Sequence, residues 1–294
     1  MTTPRRSTGP ADVAFESHRA VLLAVAYRMC GSRQDAEDVV QDAWLRWFGR
    51  DEEPEHTRAW LVRVVTNLCL DRLKRAHAQR EVYVGPWLPE PVRAEPVASP
   101  EEHLELAESL SMAFMVLLQS LSPAERAALL LHDVFGYGYA DLRDVLGKEE
   151  SACRQLVSRA RKAVEVRRPR YEPDPARAEA ALQAFIAACG TGDPEAVMAM
   201  LTDDVQAVSD GGGVVPGAGT RPVSGRRNVA RLIVGLLQKY GPELTFAAES
   251  INGQPALVAR VGGTVVNAVC FEWADGRVRS IYSVLNPAKL QALA

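Results

Sequence analysis

Asp35-Ala36-Glu37-Asp38-Val39-Val40-Gln41-Asp42-Ala43-Trp44 is the stretch from which the fold of this chain is read. Ala36, Val39, Val40, Ala43 and, further on, Trp47 recur at helical spacing and form one apolar stripe. Asp35, Asp38 and Asp42 fall at i, i+3 and i+7, so the three carboxylates share another face. Like charges stacked this way repel, which an isolated helix would avoid; they make sense against a basic partner. Ser32, just after Gly31, is placed to cap the helix, and acids in the first turn suit its positive end. The helix is expected to run to about Phe48.

Working outward, residues 12–30 read as a preceding helix with Phe15, Leu22, Ala26 and Met29 on its apolar side. A third helix is expected from Thr57 towards Arg80. Its stripe is Leu61, Val64, Val65, Leu68 and Leu73, and its later half carries Arg72, Lys74, Arg75 and Arg80. Residues 83–100 then hold five prolines, which preclude a regular helix and favour a stiff, extended linker. Tyr83, Val84, Trp87 and Leu88 are larger and more apolar than a passive linker needs, so this segment is expected to dock.

Helical character returns over residues 104–118. Ser122-Pro123-Ala124-Glu125 combines an N-cap serine, a first-turn proline and a glutamate at the third position, a capping box. Three short helical pieces follow, punctuated by Gly136, Gly138 and Gly147, the last over residues 151–166. The segment from Gly138 to Arg161 has the arithmetic of a helix-turn-helix, whose second helix enters the major groove. Ser151, Arg154, Gln155, Ser158 and Arg159 would face base edges, since Arg pairs with guanine and Gln with adenine. Arg161, Lys162, Arg167 and Arg168 would hold phosphates.

The last 120 residues change character. Helices are expected at 176–188, 194–201 and 228–239, followed by strands at 244–251, 256–261, 264–273 and 277–285. Gly262-Gly263 and Asp275-Gly276 are hairpin signals. Helices followed by antiparallel strands make an α+β domain.

Composition narrows the function. The 294 residues exceed what one core usually serves. A net charge of −3 hides two basic blocks: residues 61–80 carry five Lys/Arg against one Asp, and residues 151–170 seven against one Glu. Two such blocks point to two phosphate-facing surfaces. The five cysteines are odd in number and never in CxxC spacing, which argues against a disulfide framework or zinc ribbon. No stretch is long and apolar enough for a membrane span, and Arg5 and Arg6 precede no apolar run. A cytoplasmic protein without cofactor or metal is expected.

These motifs resemble a known family. Residues 35–44, with Arg58-Ala59-Trp60-Leu61 and Asn67-Leu68-Cys69-Leu70-Asp71-Arg72, are similar to region two of bacterial sigma-seventy-type factors of the short extracytoplasmic-function group. Leu121-Ser122-Pro123-Ala124-Glu125-Arg126 and the helix-turn-helix resemble region four. Residues 83–91, Asp210-Gly211-Gly212-Gly213 and Asn286-Pro287-Ala288-Lys289-Leu290 resemble a subgroup with a fused SnoaL-like domain. This chain has Val214 and Ala288 where that subgroup's pattern usually has Lys and Asp, so a salt bridge between those two positions is absent.

The resemblance implies a multidomain fold. Residues 10–82 would form region two, 83–100 a linker, 101–170 region four, and 174–294 an α+β SnoaL-like cone. It implies an alternative sigma factor that binds core RNA polymerase and directs it to promoter DNA through minus-ten and minus-thirty-five elements. Asp35, Asp38 and Asp42 would dock on the β′ clamp helices, and region four would meet the β flap. Asn67, Asp71 and Arg72 align with the part that captures the opened minus-ten strand, and Arg75 and Arg80 would follow its backbone. SnoaL-like cyclases use a pocket Asp/His pair. All five histidines here precede residue 172, so an enzyme is not expected. Asp210, Gly211, Gly212 and Gly213 are instead expected near Trp87, Leu88 and Pro89, with a small ligand or protein signal acting through this domain. The alternative is a ligand-responsive helix-turn-helix regulator that works without polymerase.

Overall fold

Helix α1 (Pro10–Cys30) stops at Gly31, whose φ of +74° suits a residue without Cβ. Ser32 then caps α2 (Arg33–Phe48), its side chain accepting from the Asp35 amide at 3.2 Å. The computed structural model describes residues 10–50, 54–80, 83–93, 109–167 and 175–293. The chain divides into two compact units, Met1–Ala78 with Leu121–Glu165, and Gln79–Ser120 with Val166–Ala294.

The first unit is all helical. The stripe expected for α2 is the one buried: Ala36, Val39, Val40, Ala43 and Trp47. In α3 (Thr57–Arg80) the stripe is rotated from expectation. Val62 and Cys69 are buried with Leu61, Val65 and Leu73, while Val64 and Leu68 are only partly covered. This helix is apolar on more than one side, so spacing alone does not select the buried face. The capping box is present at the start of α5 (Pro123–Leu129), which runs into a single π-helical turn, Leu130–Val134. Next come α6 (Tyr139–Leu146), a left-handed Gly147 at φ +62°, and α7 (Glu150–Arg167). Cys153, Leu156, Val157 and Ala160 bury one face of α7. Arg126 of α5 donates to the Met29 carbonyl of α1 at 2.7 Å, tying the two helices together within this unit.

The second unit is built on a six-stranded sheet of order β2-β1-β6-β5-β4-β3. Helices α8 (Pro175–Gly190) and α9 (Pro194–Ala199) lead into β1 (Leu201–Asp210) and β2 (Val223–Ser224). After α10 (Arg226–Tyr240) come β3 (Thr245–Ile251), β4 (Gln254–Val261), β5 (Thr264–Ala274) and β6 (Arg277–Val284), then α11 (Pro287–Leu290). The expected hairpin turns lie at Gly262-Gly263 and Asp275-Gly276, all with positive φ. Two strands were not expected. β1 pairs parallel with β6 through an irregular register between Leu201 and Gln206, so its alternation is broken and Asp203 and Asp204 mask it. β2 is only two residues long.

Both sheet faces are covered. One packs on α8, α9 and α10, around Leu182, Phe185, Val197, Val229, Phe271 and Trp273. Phe185, Phe271 and Trp273 cluster on this face, with ring centroids 5.3 Å (Phe185–Phe271) and 5.4 Å (Phe271–Trp273) apart. The other face carries Leu88 of the linker, Met112 and Ala113 of α4 (Met112–Leu118), and Leu290 and Leu293 near the C-terminus. Within residues 104–118 the helix begins only at Ser111, its cap, and residues 104–108 lie outside the described set. The linker is thus part of a sheet core. Leu88→Ala should lower stability by about 2–5 kcal/mol, read from the urea midpoint of the full chain; a midpoint shift near zero would contradict this packing.

Candidate functional site

In the first unit, the acidic face of α2 and the basic half of α3 meet. Arg72 Nη2 lies 2.6 Å from Asp35 Oδ1 and 2.9 Å from Asp38 Oδ2. Partial burial works against its charge, yet the two carboxylates hold the guanidinium pKa above its ordinary value. Asp42, one turn on, is exposed and makes no ion pair among the described residues. Asn67 is partly covered; Asp71 and Arg75 are exposed, and Asp71 pairs with Lys74 at 3.1 Å. Arg80 ends α3, and its side chain lies outside the described set.

On α7 the expected readers share the free face. Ser151, Arg154, Gln155, Ser158, Arg159, Arg161 and Lys162 are all exposed. Three of these arginines already have acidic partners. Arg154 pairs with Glu150 and lies over the Tyr139 ring at 4.5 Å. Arg159 reaches Glu125 at 3.4 Å, and Arg161 forms a two-pronged pair with Asp133 at 2.9 and 2.6 Å. Arg28 of α1 is also buried, its guanidinium 5.8 Å from the Phe135 ring centre. Burial pushes its pKa down to about 10.

In the second unit, the structure brings Leu88 onto Asp210, Trp87 beside Lys289, and Val84 against Gly213. The Asp210 carboxylate is fully buried. Oδ1 accepts from Tyr83 Oη at 2.6 Å and from the Gly212 amide at 3.0 Å. Oδ2 accepts from the Leu88 amide at 2.8 Å and Lys289 Nζ at 2.6 Å. Lys289 also donates to the Leu88 carbonyl and lies 3.8 Å from the Trp87 ring centre. Asn286 donates to Tyr83 Oη at 3.0 Å. Burial first, and then the bond to Asp210, raise the Tyr83 pKa, so its hydroxyl stays a donor. Gly212 and Gly213 have φ of +62° and +72°, and each also leaves needed space. A Cβ on Gly212 would lie 2.4 Å from Asn286 Nδ2, and one on Gly213 would lie 2.9 Å from Val84 Cβ.

A second anchor escaped the sequence reading. Asn252, buried at φ +53°, donates its backbone amide to the Val92 carbonyl at 2.8 Å and its side chain to the Leu110 carbonyl at 3.0 Å. Its Oδ1 accepts from the Val92 amide at 3.2 Å. Asn252-Gly253 is a hairpin dipeptide of the same kind as those recognised at 262 and 275, and that signal was available. Arg93 bonds Glu249 at 3.1 Å and the Leu293 carbonyl at 2.9 Å. A groove of about 280 Å³ lies between α8 and the β5–β6 turn, lined by Ala178, Ala181, Met200 and Trp273 among others.

The chain matches two family models, Sigma-70 region 2 over residues 14–79 and Sigma-70, region 4 over residues 111–164. It is 39% identical to the ECF RNA polymerase sigma factor SigJ of Mycobacterium tuberculosis, covering 94% of this chain and 91% of that one. This chain is an extracytoplasmic-function sigma factor. It is also 30% identical to the probable ECF RNA polymerase sigma factor SigI of Mycobacterium tuberculosis, over 97% of this chain and 96% of that one. The crystal structure of Mycobacterium tuberculosis SigJ superposes with a TM-score of 0.75 at 36% identity, covering 95% of this chain and 98% of that one. The match therefore includes the fused C-terminal domain, and it does not favour a free-standing regulator. Among the described residues no helix is long and apolar enough to cross a membrane.

Two outcomes test the linker seat. Asp210→Asn removes one member of a buried ion pair and should cost about 3–5 kcal/mol in urea unfolding; a cost below about 1 kcal/mol, the exposed-pair range, would contradict the geometry. Glu249 has its pKa lowered, because Arg260 and Arg93 outweigh the opposing effect of its burial. A depressed folded pKa gives stability above the ordinary carboxylate range that fades as pH falls through the folded value. Wild type should therefore exceed Glu249→Gln in stability at neutral pH, and the gap should close in acid; a gap unchanged by acid would contradict this.

Proposed function

We propose that this chain acts as an alternative sigma factor that binds core RNA polymerase and selects promoters. The observation that carries the reading is the pairing of both sigma regions, at residues 14–79 and 111–164, in one chain 39% identical to SigJ. Asp35, Asp38 and Asp42 form the face for the β′ clamp helices. Asn67, Asp71, Arg72, Arg75 and Arg80 take the opened minus-ten strand, where a separated strand needs cations and a pocket rather than a groove-filling helix. Region four meets the β flap. Ser151, Arg154, Gln155, Ser158 and Arg159 read the minus-thirty-five duplex, with Arg161 and Lys162 on phosphates.

The Arg72 pairs couple these steps. A basic clamp surface competes for Asp35 and Asp38, and this releases Arg72 towards DNA. Arg161 and Arg154 likewise exchange an exposed acid for phosphate or base, a trade that costs little because exposed pairs are weak. Each module alone binds weakly; a linker restricting their separation raises effective concentration. The C-terminal domain modulates this through its hold on residues 83–93, and a small ligand or protein signal shifts that hold. The chain supplies no catalytic step of its own, and it works in the cytoplasm with polymerase and DNA.

The test mixes the full chain with core RNA polymerase on a promoter-enriched DNA pool and sequences the transcripts. Specific start sites are expected; duplex DNA binding with no polymerase binding would overturn the reading. Asp42→Lys should weaken polymerase binding about tenfold, or ~1.4 kcal/mol. Arg154→Ala should relax the preference at one upstream base pair by ~1–3 kcal/mol while leaving polymerase affinity unchanged.

A further inference from the structure

The two basic blocks read from the sequence lie in and around α3 and α7. A third concentration of positive charge lies on α10 of the second unit. That helix carries Arg226, Arg227, Arg231 and Lys239 and not one Asp or Glu. Arg226 is paired with Asp203 at 3.0 Å. Arg227, Arg231 and Lys239 are exposed, and among the described residues none of the three makes an ion pair. Together with Gly235 they follow one another at steps of four residues, so they share one face. Val229, Ala230 and Val234 bury another side of the helix.

Folding gains nothing from this arrangement. Arg226 and Arg227 stand in the first turn, at the positive end of the helix dipole, where cations are unfavourable. No carboxylate one turn away offsets Arg231, because the helix has none. Gly235 is in the helix interior, where glycine is destabilising relative to alanine. A Cβ at Gly235 would meet nothing within 4 Å, so no neighbour in the chain requires the gap. The gap opens outward, in the middle of the cationic face, and glycine is the residue that lets another backbone approach closely.

We propose that α10 is a further DNA contact, lying along the phosphodiester backbone of promoter duplex through Arg227, Arg231 and Lys239, with Gly235 at the closest approach. From Arg227 to Lys239 the helix advances about 18 Å. That length passes about five phosphates of one strand. Asn228 and Gln238 are also exposed and lie on the same side, so the face is polar. A lipid surface would instead need large apolar groups between the cations. The exposed Leu236 and Tyr240 lie off this face, towards the other side of the helix. Contacts of this kind strengthen binding and fix orientation without adding sequence preference.

That the duplex is promoter DNA rests on the sigma reading; the phosphate chemistry does not. The full chain, assembled with core RNA polymerase, is titrated with promoter duplex over a range of salt. The logarithm of affinity falls with the logarithm of salt by about 0.9 for each phosphate contact. With Arg227→Gln, Arg231→Gln and Lys239→Gln together, the slope should become shallower by about 2.7, with polymerase affinity unchanged. Arg227→Lys with Arg231→Lys should keep the wild-type slope, because a phosphate contact needs the charge. Gly235→Gln should raise the urea midpoint of the chain and yet weaken DNA binding, a split that a purely structural glycine would not give. A triple-variant slope within about 0.5 of wild type overturns the surface. A loss of polymerase affinity as large as the loss for DNA also overturns it and makes the face a polymerase contact. Failure of the wild-type complex to select promoters counts against the sigma reading. The slopes of the free chains on non-promoter duplex then decide the surface alone.

Discussion

A carboxylate with no exposure to water must be matched by donors, because an unpaired buried charge costs several kcal/mol. Asp210 meets this with four: Tyr83 Oη, the Leu88 and Gly212 amides, and Lys289 Nζ. Two of them belong to the proline-rich linker. Those residues cannot leave the sheet without stranding the charge, and the rest of the second unit follows from that constraint. β1 runs parallel to β6 and ends on Asp210, whose carbonyl accepts from the Leu285 and Asn286 amides. This places the last helix, and Lys289 with it, against the linker. The glycines after Asp210 are demanded by the closeness of Asn286 and Val84 as much as by backbone angle.

Asn252 repeats the logic without a charge. It holds Val92 and Leu110 at one point beside the β3–β4 turn. Leu88, Met112 and Ala113 then share a core with sheet residues. In the first unit, several ion pairs lie closer to water. Arg72, Arg154, Arg159 and Arg161 are all paired at or near the surface, where exchange for another anion is cheap.

The helices were legible because their signals are local. Ser32 after Gly31, the Ser122–Glu125 box and the Asp35, Asp38, Asp42 face all read at one glance and sit where spacing puts them. The docking of Trp87 and Leu88 was legible as apolar size in a segment that had no other use for it. What spacing cannot supply is tertiary partnership. Nothing local to Arg72 says that its charge belongs to Asp35 and Asp38 of another helix. Lys289 reads as part of a terminal motif, and its bond to Asp210 spans much of the domain. β1 was hidden because a bulge breaks its alternation and its neighbour is parallel, and the α3 stripe was mis-set because that helix is apolar on several sides.

The account stands or falls on the linker being part of the sheet domain rather than a tether beside it. Amide hydrogen exchange of Leu88 in the full chain tests this most directly, because that amide donates to the buried carboxylate. The account predicts exchange as slow as the β5 and β6 amides, opening only with the domain as a whole. Exchange at the rate of an unstructured chain would contradict it.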